Sequence, residues 1–600
     1  MRKVSEKSKP FLFCLKYPFK TAPMRYCLYL LLNIVNALLP ATKIMIWKVI
    51  LDTLQNTNIE SLDFQFLILL FSALVVSSVG IGLVQNIKGF IESSIIDKAQ
   101  LSIDVEIMEK LSELDAAYYD NPENRDTLDL VKNSKMMICE GILWPVKIIQ
   151  SMLTFASVTS VFLFISPILA IVYLAAAVPQ AISTARLEKL IDQEEIEAIP
   201  DARKRDYYRD ILVDKVYAKE TRIYNSKGFF FSRYKLAWAG LAERKSKIYG
   251  KQFRKLYRNE LIHTIGSVAV IATSLVQAVQ GYFSVGDISV VLNATKSSYA
   301  AFNDFFSALS HFANITAHRV NMYLHFISAT TNMKNGQLKN IDRIREIAFV
   351  DVSFKYPLSK ENTLTNISFV IKAGAKNALV GKNGEGKSTI IKLLLRLYDP
   401  SEGTILVNGI DIKEYDIVEL RKVFSLCFQD VTKYALTVSE NVAFSGSSYN
   451  DLVDNALRFA GISEIVEAFP KRLSTELTRE FSDEGQELSG GQWQKLSIAR
   501  AIYREAEFLV LDEPSSALDP IEEDRIMDLL ASMGEGKTTI VVSHRLSDLR
   551  SYDQIVVIDN GTVAEIGTHN ELLSNNALYA RMYILQSEKY KRKEVQNEKA

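Results

Sequence analysis

The sequence predicts two domains of different fold class, an all-α membrane domain of six helices with long helical extensions, followed by a soluble α/β domain. Three observations predict this division. A chain of 600 residues is too long for one hydrophobic core. Long apolar runs occur only in the first half, whereas short β-rich runs alternate with helical ones in the second half. A glycine-rich turn at 381–388 joins one of these β-rich runs to a helix.

Composition excludes several classes of protein. The 70 basic and 70 acidic residues cancel, which argues against a nucleic-acid partner held by bulk electrostatics. The four cysteines are scattered without any metal-ligand spacing, so neither a metal site nor a structural disulfide is expected.

Residues 1–25 are rich in Lys and Arg and poor in acids, which predicts a cytoplasmic N-terminal flank. The first apolar run lacks a small-residue cleavage site and is interpreted as a retained span.

Six apolar runs approach the ~20 residues that a helix needs to cross a bilayer. The alternative, buried helices of a soluble domain, is disfavoured by the number of such runs. The predicted spans cover 26–48, 64–87, 142–165, 168–186, 261–283 and 288–312.

The placement of charge supports this topology. Residues 49–63 and 284–287 contain no Lys or Arg and are expected outside, whereas 88–141 and 187–260 are rich in both and are expected in the cytoplasm. These cytoplasmic segments are too long for simple loops, so we expect the membrane helices to continue into them. The first segment is broken near Pro122 and the second within 218–228. At each break a short helix is expected to dock on another domain. The alternative is a charged hairpin surrounded by solvent.

Four ionisable residues in or near the spans are candidates for a transport pathway, because charged groups at membrane depth usually face a wet cavity. The alternatives are that the sixth helix extends beyond the bilayer or that the lysine of the first helix reaches the interface. The four residues are Lys43, Lys296, Asp304 and His311.

The second half predicts a mainly parallel sheet covered by helices. A polar linker, 328–346, precedes the first β-rich run, which begins at Ile347. Strand-like and helical runs then alternate to about residue 558, as they do in α/β domains. The predicted domains are therefore 1–25 (N-terminal flank), 26–327 (membrane domain), 328–346 (linker), 347–587 (α/β domain) and 588–600 (charged C-terminal tail).

The turn after the strand Asn377–Val380 fits the phosphate-binding pattern G-x-x-x-x-G-K-[ST]. Glycines let backbone N–H groups surround an anion, and the positive end of the next helix faces it. Lys387 is expected to reach the β- and γ-phosphates of ATP, and the Ser388 hydroxyl is expected to hold Mg²⁺. The predicted nucleotide-binding residues of this stretch are Gly381, Lys382, Asn383, Gly384, Glu385, Gly386, Lys387, Ser388 and Thr389.

The apolar run Phe508–Leu511 ends in two carboxylates. Asp512 is a predicted Mg²⁺ ligand, and Glu513 is placed to orient a water for attack on the γ-phosphate. A buried strand followed by surface acids is common, so the motif gains weight only from the phosphate loop. Together the two motifs predict a P-loop nucleoside triphosphatase.

A second helix N-terminus, whose backbone N–H groups could bind an anion, is predicted after Leu488. Two such ends in one domain suggest that one serves a nucleotide held by another subunit. His544, after the next β-rich run, is a candidate contact for the γ-phosphate, although a lone histidine is usually structural. The residues of the second helix start are Ser489, Gly490, Gly491 and Gln492.

With these motifs and six predicted spans before them, the chain resembles, over nearly its whole length, an ATP-binding cassette (ABC) exporter half-transporter of the type IV fold. The resemblance implies that Tyr356 stacks on adenine and that Gln429 contacts Mg²⁺ and senses the membrane domain. It also implies that 489–491 is the signature motif, that Asp519 belongs to an inter-subunit loop, and that His544 is the switch histidine.

Further implications of the resemblance concern coupling and cargo. Asp483 matches a position that contacts the cytoplasmic loops, and the breaks near 119–123 and 220–224 match the coupling helices. The stretches 429–434, 489–494 and 218–224 resemble a bacterial subgroup that includes lanthipeptide exporters, which favours a peptide cargo. We expect no cysteine-protease domain before the first span, because too few residues precede Tyr26 to form one. Relatives often have a small residue in place of Glu385, whose side chain is therefore expected to point outward.

The predicted protein is an ATPase coupled to transport, which exports a peptide or another amphipathic cargo. It should be a multi-pass protein of a bacterial plasma membrane, with both termini in the cytoplasm. ATP is expected between 381–388 of one copy and 489–491 of another, so a homodimer is favoured over a heterodimer, which the motifs also allow. The same motifs are compatible with a lipid or drug exporter, a flippase, an ATP-gated channel or regulator, and an importer of the same fold.

Overall fold

The computed structural model divides the chain into two compact units. The first unit comprises Met1–Glu113 and Asp126–Ala329, and the second comprises Leu114–Arg125 and Thr330–Ala600. The predicted division into a helical part and an α/β part is confirmed. The structure describes residues 2–56, 64–330, 333–341, 343–444, 450–514, 522–523, 525–526 and 537–597.

The first unit consists of helices, several of them far longer than a membrane span. Its helices are α1 (Arg2–Thr21), α2 (Pro23–Asn56), α3 (Phe64–Glu113), α5 (Pro122–Gly141), α6 (Trp144–Ile165), α7 (Pro167–Glu197), α8 (Ile199–Val213), α9 (Ala218–Ile223), α10 (Lys227–Val279), α11 (Val285–His311) and α12 (Ala317–Ile327). The helix α4 (Ala116–Asp120) follows α3 in the chain and belongs to the second unit.

Within the described residues, α2, α3, α6, the first part of α7 (Pro167–Ile191) and α10 are the five helices long and apolar enough to cross a membrane. They contain the first five predicted spans except at two ends: α6 begins at Trp144, after the predicted start at 142, and α10 ends at Val279, before the predicted end at 283. The sixth predicted span lies in α11, a continuous helix of 27 residues. It is not among the five helices that are apolar enough by this criterion, and it carries Lys296 and Asp304.

The membrane helices pack through small, aliphatic and aromatic side chains. One buried cluster takes Ala41 from α2, Val158 from α6, Tyr173 from α7, Val270 from α10 and Ala294 from α11. Small residues let helix backbones approach closely, which is how helices associate in a membrane. Large apolar side chains point outward instead, as expected for helices solvated by lipid; examples are Ile68, Val76, Phe90, Phe164 and Ile168.

Short helices occupy both predicted breaks. Around Pro122 the short helix is α4, which ends before the proline, and Pro122 begins α5. Proline is tolerated at the first position of a helix and is unfavourable within one, so it starts α5 here. At the second break the short helix is α9, six residues that begin after Tyr217.

The second unit contains two sheets. Its strands are β1 (Glu346–Phe354), β2 (Leu364–Lys372), β3 (Lys376–Val380), β4 (Glu402–Val407), β5 (Ile410–Asp411), β6 (Phe424–Cys427), β7 (Phe508–Asp512), β8 (Thr538–Val542), β9 (Gln554–Asp559) and β10 (Thr562–Gly567).

The larger sheet has the order β10-β9-β3-β8-β7-β6, and all its neighbours are parallel except β10 and β9. This sheet agrees with the predicted parallel arrangement. The smaller sheet, β2-β1-β4-β5, is antiparallel and was not predicted. Its strand β2 alternates buried and exposed residues, the pattern of a sheet with one buried face. Strand β3 is buried at four of its five positions, as parallel strands usually are.

Helices cover the sheets of the second unit. They are α13 (Lys387–Leu394), α14 (Ile417–Lys422), α15 (Val438–Ala443), α16 (Asn450–Phe459), α17 (Ser463–Glu467), α18 (Gly490–Tyr503), α19 (His569–Ser574) and α20 (Leu578–Asn597). The predicted linker is partly ordered against this unit, because the Gly336 N–H donates to the Tyr415 carbonyl oxygen at 3.2 Å. The predicted C-terminal tail continues α20 as far as Asn597.

Candidate nucleotide site

The phosphate loop connects β3 to α13. It requires glycine at two positions, because neighbouring atoms leave no space for a Cβ atom there. A Cβ atom at Gly381 would lie 2.4 Å from the carbonyl oxygen of Ile558. Gly386 has φ 96°, and a Cβ there would lie 2.5 Å from Cδ2 of Leu364. The glycine spacing therefore reflects both backbone conformation and contact with the neighbouring strands.

Lys387 is buried at the base of this loop, with 5% of its surface exposed. Its ammonium donates to the carbonyl oxygens of Gly381 at 3.0 Å and Lys382 at 2.7 Å. Burial lowers the pKa of Lys387, and the nearby carboxylates of Glu513, Asp512 and Glu385 oppose this shift. An ammonium has three N–H groups, so within the described part of the chain one is left for an incoming anion.

Ser388 and Asp512 meet beneath the loop. The Ser388 hydroxyl donates to Asp512 Oδ1 at 3.4 Å, and Asp512 is buried at the end of β7. Burial raises the pKa of Asp512, and the serine hydrogen bond partly offsets this effect. A buried carboxylate beside a hydroxyl supplies the hard oxygen ligands that Mg²⁺ prefers.

Glu513 is held from two sides. Its carboxylate accepts a hydrogen bond from Gln429 Nε2 at 2.9 Å and contacts His544 Nε2 at 2.5 Å. Its backbone has φ 49°, an unusual value for a side chain with a Cβ, and its N–H donates to the Val542 carbonyl oxygen at 3.1 Å. The backbone hydrogen bond and the two side-chain contacts together fix the position of Glu513 at the end of β7.

Tyr356 is partly buried at the edge of the loop. Its ring stands edge-on to Phe354 and Tyr398, with centroids 4.9 Å and 5.4 Å away. Its hydroxyl shares a hydrogen bond of 3.1 Å with the Thr389 hydroxyl and accepts one of 3.3 Å from Lys392. The aromatic ring is thus fixed to the first turns of α13.

A cavity of about 420 Å³ lies among these groups. Most of its lining was predicted from sequence, and Thr363 was missed because it belongs to no motif. Gly381 and Asp512 are buried and do not line the cavity, and His544 contacts Glu513, which does. The cavity is lined by Tyr356, Thr363, Asn383, Gly384, Gly386, Lys387, Ser388, Thr389, Gln429 and Glu513.

Two charged residues of the loop have other surroundings. Lys382 is exposed, and its ammonium lies 3.7 Å from Asp559 Oδ1. Glu385 is partly exposed, and its charge raises the pKa of Lys387. Glu385 therefore acts on the phosphate-loop lysine while keeping contact with solvent.

The second predicted helix start lies at the beginning of α18, and its described residues do not line this cavity. Ser489 caps the helix, accepting a hydrogen bond from the Gln492 N–H at 3.3 Å, and Gln492 Oε1 accepts one from the Ser489 N–H at 2.8 Å. Ser489 and Gly490 are exposed, and Gly491 is partly exposed. Asp483 is exposed as well. The predicted inter-subunit residue Asp519 lies outside the described residues.

The four candidate pathway residues have different environments in the first unit. Asp304 is exposed to a polar cavity, and Lys296 is exposed outside it. His311 packs against Trp144 with ring centroids 4.4 Å apart. Lys43 is partly exposed on α2.

Comparisons with known proteins give the family. The profile of the family described as "ABC transporter" matches residues 364–516. The subtilin transport ATP-binding protein SpaT of Bacillus subtilis is 31% identical over 599 residues, covering 96% of this chain and 95% of that protein. The ATP-dependent lipid A-core flippase of Burkholderia thailandensis is 41% identical, but the match covers 40% of each protein.

A solved structure described as a bacterial Atm1-family ABC exporter with ATP bound shares the fold, with a TM-score of 0.79. The similarity covers 94% of this chain and 98% of that one, at 21% sequence identity. On the full-length match, the chain belongs to the ABC transporter family, as a multi-pass half-transporter of the exporter type with its own ATP-hydrolysing domain.

Proposed function

We propose that two copies of this chain form an ATP-driven peptide exporter, in which each ATP lies between the phosphate loop of one copy and the start of α18 in the other. One observation carries the proposal. The described lining of the phosphate-loop cavity includes no residue of 489–492, although that segment is an exposed, capped helix start. Helix starts of this kind bind anions, so the segment suits a phosphate presented by a second copy.

The loop side of the site accounts for ATP binding. Backbone N–H groups of the loop and the N-terminus of α13 surround the phosphates, and the remaining N–H of Lys387 donates to a phosphate oxygen. Tyr356 offers its ring to the adenine, because its hydroxyl is already tied to Thr389.

Ser388 and Asp512 are the proposed Mg²⁺ ligands, with the Gln429 amide oxygen as a third. A bound Mg²⁺ would neutralise charge on the transferring phosphoryl group. Asp512 is buried, and burial raises its pKa because nearby groups do not fully neutralise its carboxylate. A bound Mg²⁺ would supply the missing positive charge.

Glu513 orients the attacking water. Gln429 and His544 hold its carboxylate, so that its remaining lone pairs are directed at one position. His544 extends this network toward the γ-phosphate. ATP that bridges two copies binds only their closed arrangement, and this difference in affinity supplies the work of switching the membrane domain between inward- and outward-open states.

A peptide is the proposed cargo because the full-length relative is named for the transport of subtilin, a peptide. A lipid is the second candidate, supported by relatives named lipid A-core flippases, whose matches cover only 40% of this chain. The proposed cytoplasmic termini are supported by the charge of the loops. The proposed export is supported by the family. Drug export, ATP-gated conductance and import are outcomes that transport assays distinguish.

Mixing two inactive chains tests the shared site. Lys387→Ala breaks the phosphate loop, and Ser489→Arg breaks the start of α18. Each variant alone should lose ATPase activity in proteoliposomes. Random mixing should restore about a quarter of wild-type activity, because half of the symmetric dimers then carry one intact site. No restoration, in mixtures shown to contain hybrid dimers, would contradict a site built from two copies.

Transport is tested separately with inside-out vesicles that contain the full chain. ATP-dependent uptake of a fluorescent amphipathic peptide should occur with the wild type and stop in Glu513→Gln. Movement of a fluorescent lipid without peptide uptake would favour the flippase, and an ATP-gated ion current would favour the channel.

A further inference from the structure

The first unit encloses a cavity of about 550 Å³ between α2, α3, α6 and α11. Its volume lies in the range of pockets that bind small ligands. Its lining includes the polar side chains of Gln85 and Lys88 on α3. Asn36, Gln150 and Thr154 add amide and hydroxyl groups. Polar side chains on membrane helices generally mark a pathway or a binding site.

Two residues of opposite charge that line this cavity, Lys88 and Asp304, form no ion pair within the described residues. Lys147 is neutralised by Glu92, at 2.7 Å. The ammonium of Lys88 instead donates to the neutral amide oxygen of Gln150, at 2.7 Å. Asp304, which faces the cavity from α11, has neither a hydrogen bond nor an ion pair within the described residues.

Lys88 and Asp304 do not neutralise each other. They form no ion pair within 4.0 Å, although both are described residues that line the same cavity. A charged side chain without an ion pair is available to a ligand group of the opposite charge, and such pairs give specificity to recognition. The cavity therefore suits a ligand that carries a cation and an anion on separate groups.

We propose that this cavity is a cargo site for a zwitterionic peptide, whose ammonium pairs with Asp304 and whose carboxylate pairs with Lys88. The proposal rests on the proposed peptide export and adds the chemistry of recognition. A peptide is favoured over a lipid head group because the amide and hydroxyl groups of Asn36, Gln85 and Thr154 match the donors and acceptors of peptide bonds.

The experiment measures ATPase stimulation of the full chain in phosphatidylcholine nanodiscs. The probe is the pentapeptide Lys-Leu-Trp-Leu-Ala with free termini. Two further peptides lack one kind of charge: one has an acetylated N-terminus with Gln in place of Lys, and the other has a C-terminal amide. The wild type should require about tenfold more of either neutralised peptide for half-maximal stimulation, as expected for about 1.4 kcal/mol per charge pair.

The variants assign each charge to its partner. Asp304→Asn should lose the preference for the ammonium and keep the preference for the carboxylate, and Lys88→Gln should do the reverse. Lys98→Gln, an exposed lysine on α3 outside the cavity, should keep both preferences. Each preference is the ratio of two half-maximal peptide concentrations measured on the same variant. A partly misfolded fraction lowers the activity with both peptides equally and therefore leaves this ratio unchanged. Asp304→Glu should retain the ammonium preference and provides a second test.

Three results overturn the proposal. If both variants keep wild-type selectivity while the wild type transports the peptide in vesicles, the cavity is not the site and peptide export stands. If phosphatidylethanolamine stimulates the wild type and no peptide does, the ligand is a lipid head group. If no peptide stimulates or is transported at all, the proposed peptide export fails together with this inference.

Discussion

The phenol of Tyr398 donates a hydrogen bond of 2.8 Å to the carboxylate of Asp120, at the C-terminal end of α4. The same ring stands edge-on to Tyr356, the aromatic residue of the nucleotide cavity. Ala116 and Ala117 of α4 pack against the core of the second unit. A short helix that follows α3 directly in the chain is thereby connected, through one tyrosine, to the edge of the ATP site.

We expect Tyr398→Phe to weaken coupling between cargo and ATP hydrolysis. The change keeps the ring and removes a hydrogen bond to a carboxylate, worth about 1 kcal/mol. The ratio of cargo-stimulated to basal ATPase activity should fall about fivefold. Tyr415→Phe is the matched control, since it removes a bond of 3.2 Å to the Val407 carbonyl oxygen elsewhere in the same unit. An unchanged ratio in Tyr398→Phe, or an equal fall in both variants, would argue against this role.

Glu513→Gln should separate ATP binding from hydrolysis. The amide preserves the shape of the side chain and removes its capacity to accept a proton, so turnover should fall about 10²–10³-fold while ATP remains bound. Single-turnover ATPase assays and retention of radiolabelled ATP measure the two effects. Glu505→Gln is the matched control, because Glu505 shares the φ of 49° at the other end of β7 and is exposed. Its turnover should stay within about twofold of wild type.

Gly381→Ala should disrupt the phosphate loop more than Gly384→Ala. At Gly381 the new methyl group would lie 2.4 Å from a backbone oxygen, which cannot move without shifting β9. Gly384 has φ 87° and open space at its Cβ position, so the change there costs only backbone strain. We expect losses of about 2–3 kcal/mol and 1 kcal/mol in unfolding free energy, respectively. Thermal unfolding with and without ATP measures both, and equal losses would contradict the packing argument.

Asp512→Asn should stabilise the nucleotide-free protein while abolishing Mg²⁺-dependent hydrolysis. Burial raises the pKa of Asp512, so ionisation opposes folding. This penalty is absent below about pH 4, the ordinary pKa of aspartate, and grows as pH rises to the folded-state pKa. The variant should therefore match wild type in acid and unfold about 2–4 °C higher near neutrality.

Ser388→Ala supplies the contrast for that prediction. It removes the hydrogen bond that favours the ionised Asp512, so its melting temperature near neutrality should fall below that of wild type. Both variants should lose hydrolysis. A lower melting temperature for Asp512→Asn would show that the buried carboxylate stabilises the folded state.

The nucleotide site shows most clearly which features are local in the chain. Residues 381–389 were predicted together because the chemistry of the phosphate loop lies in consecutive residues, and the flanking strand and helix are local structures. The smaller antiparallel sheet was missed because a run such as the one at Ile347 indicates a strand without indicating its partner strands. Thr363 was missed for the same reason, because no local pattern places it beside the loop.

The membrane and ATP-binding parts of this protein could be predicted from the chain, because apolar length, loop charge and glycine spacing act within short segments. The hydrogen bonds of Gln429 with Glu513, across 84 residues, and of Tyr398 with Asp120, across 278, could not be predicted in this way. Nor could the cavity that Lys88 and Asp304 share. Charge pairing and hydrogen bonding depend on distance in space, which is set by the packing of elements that are far apart in the chain.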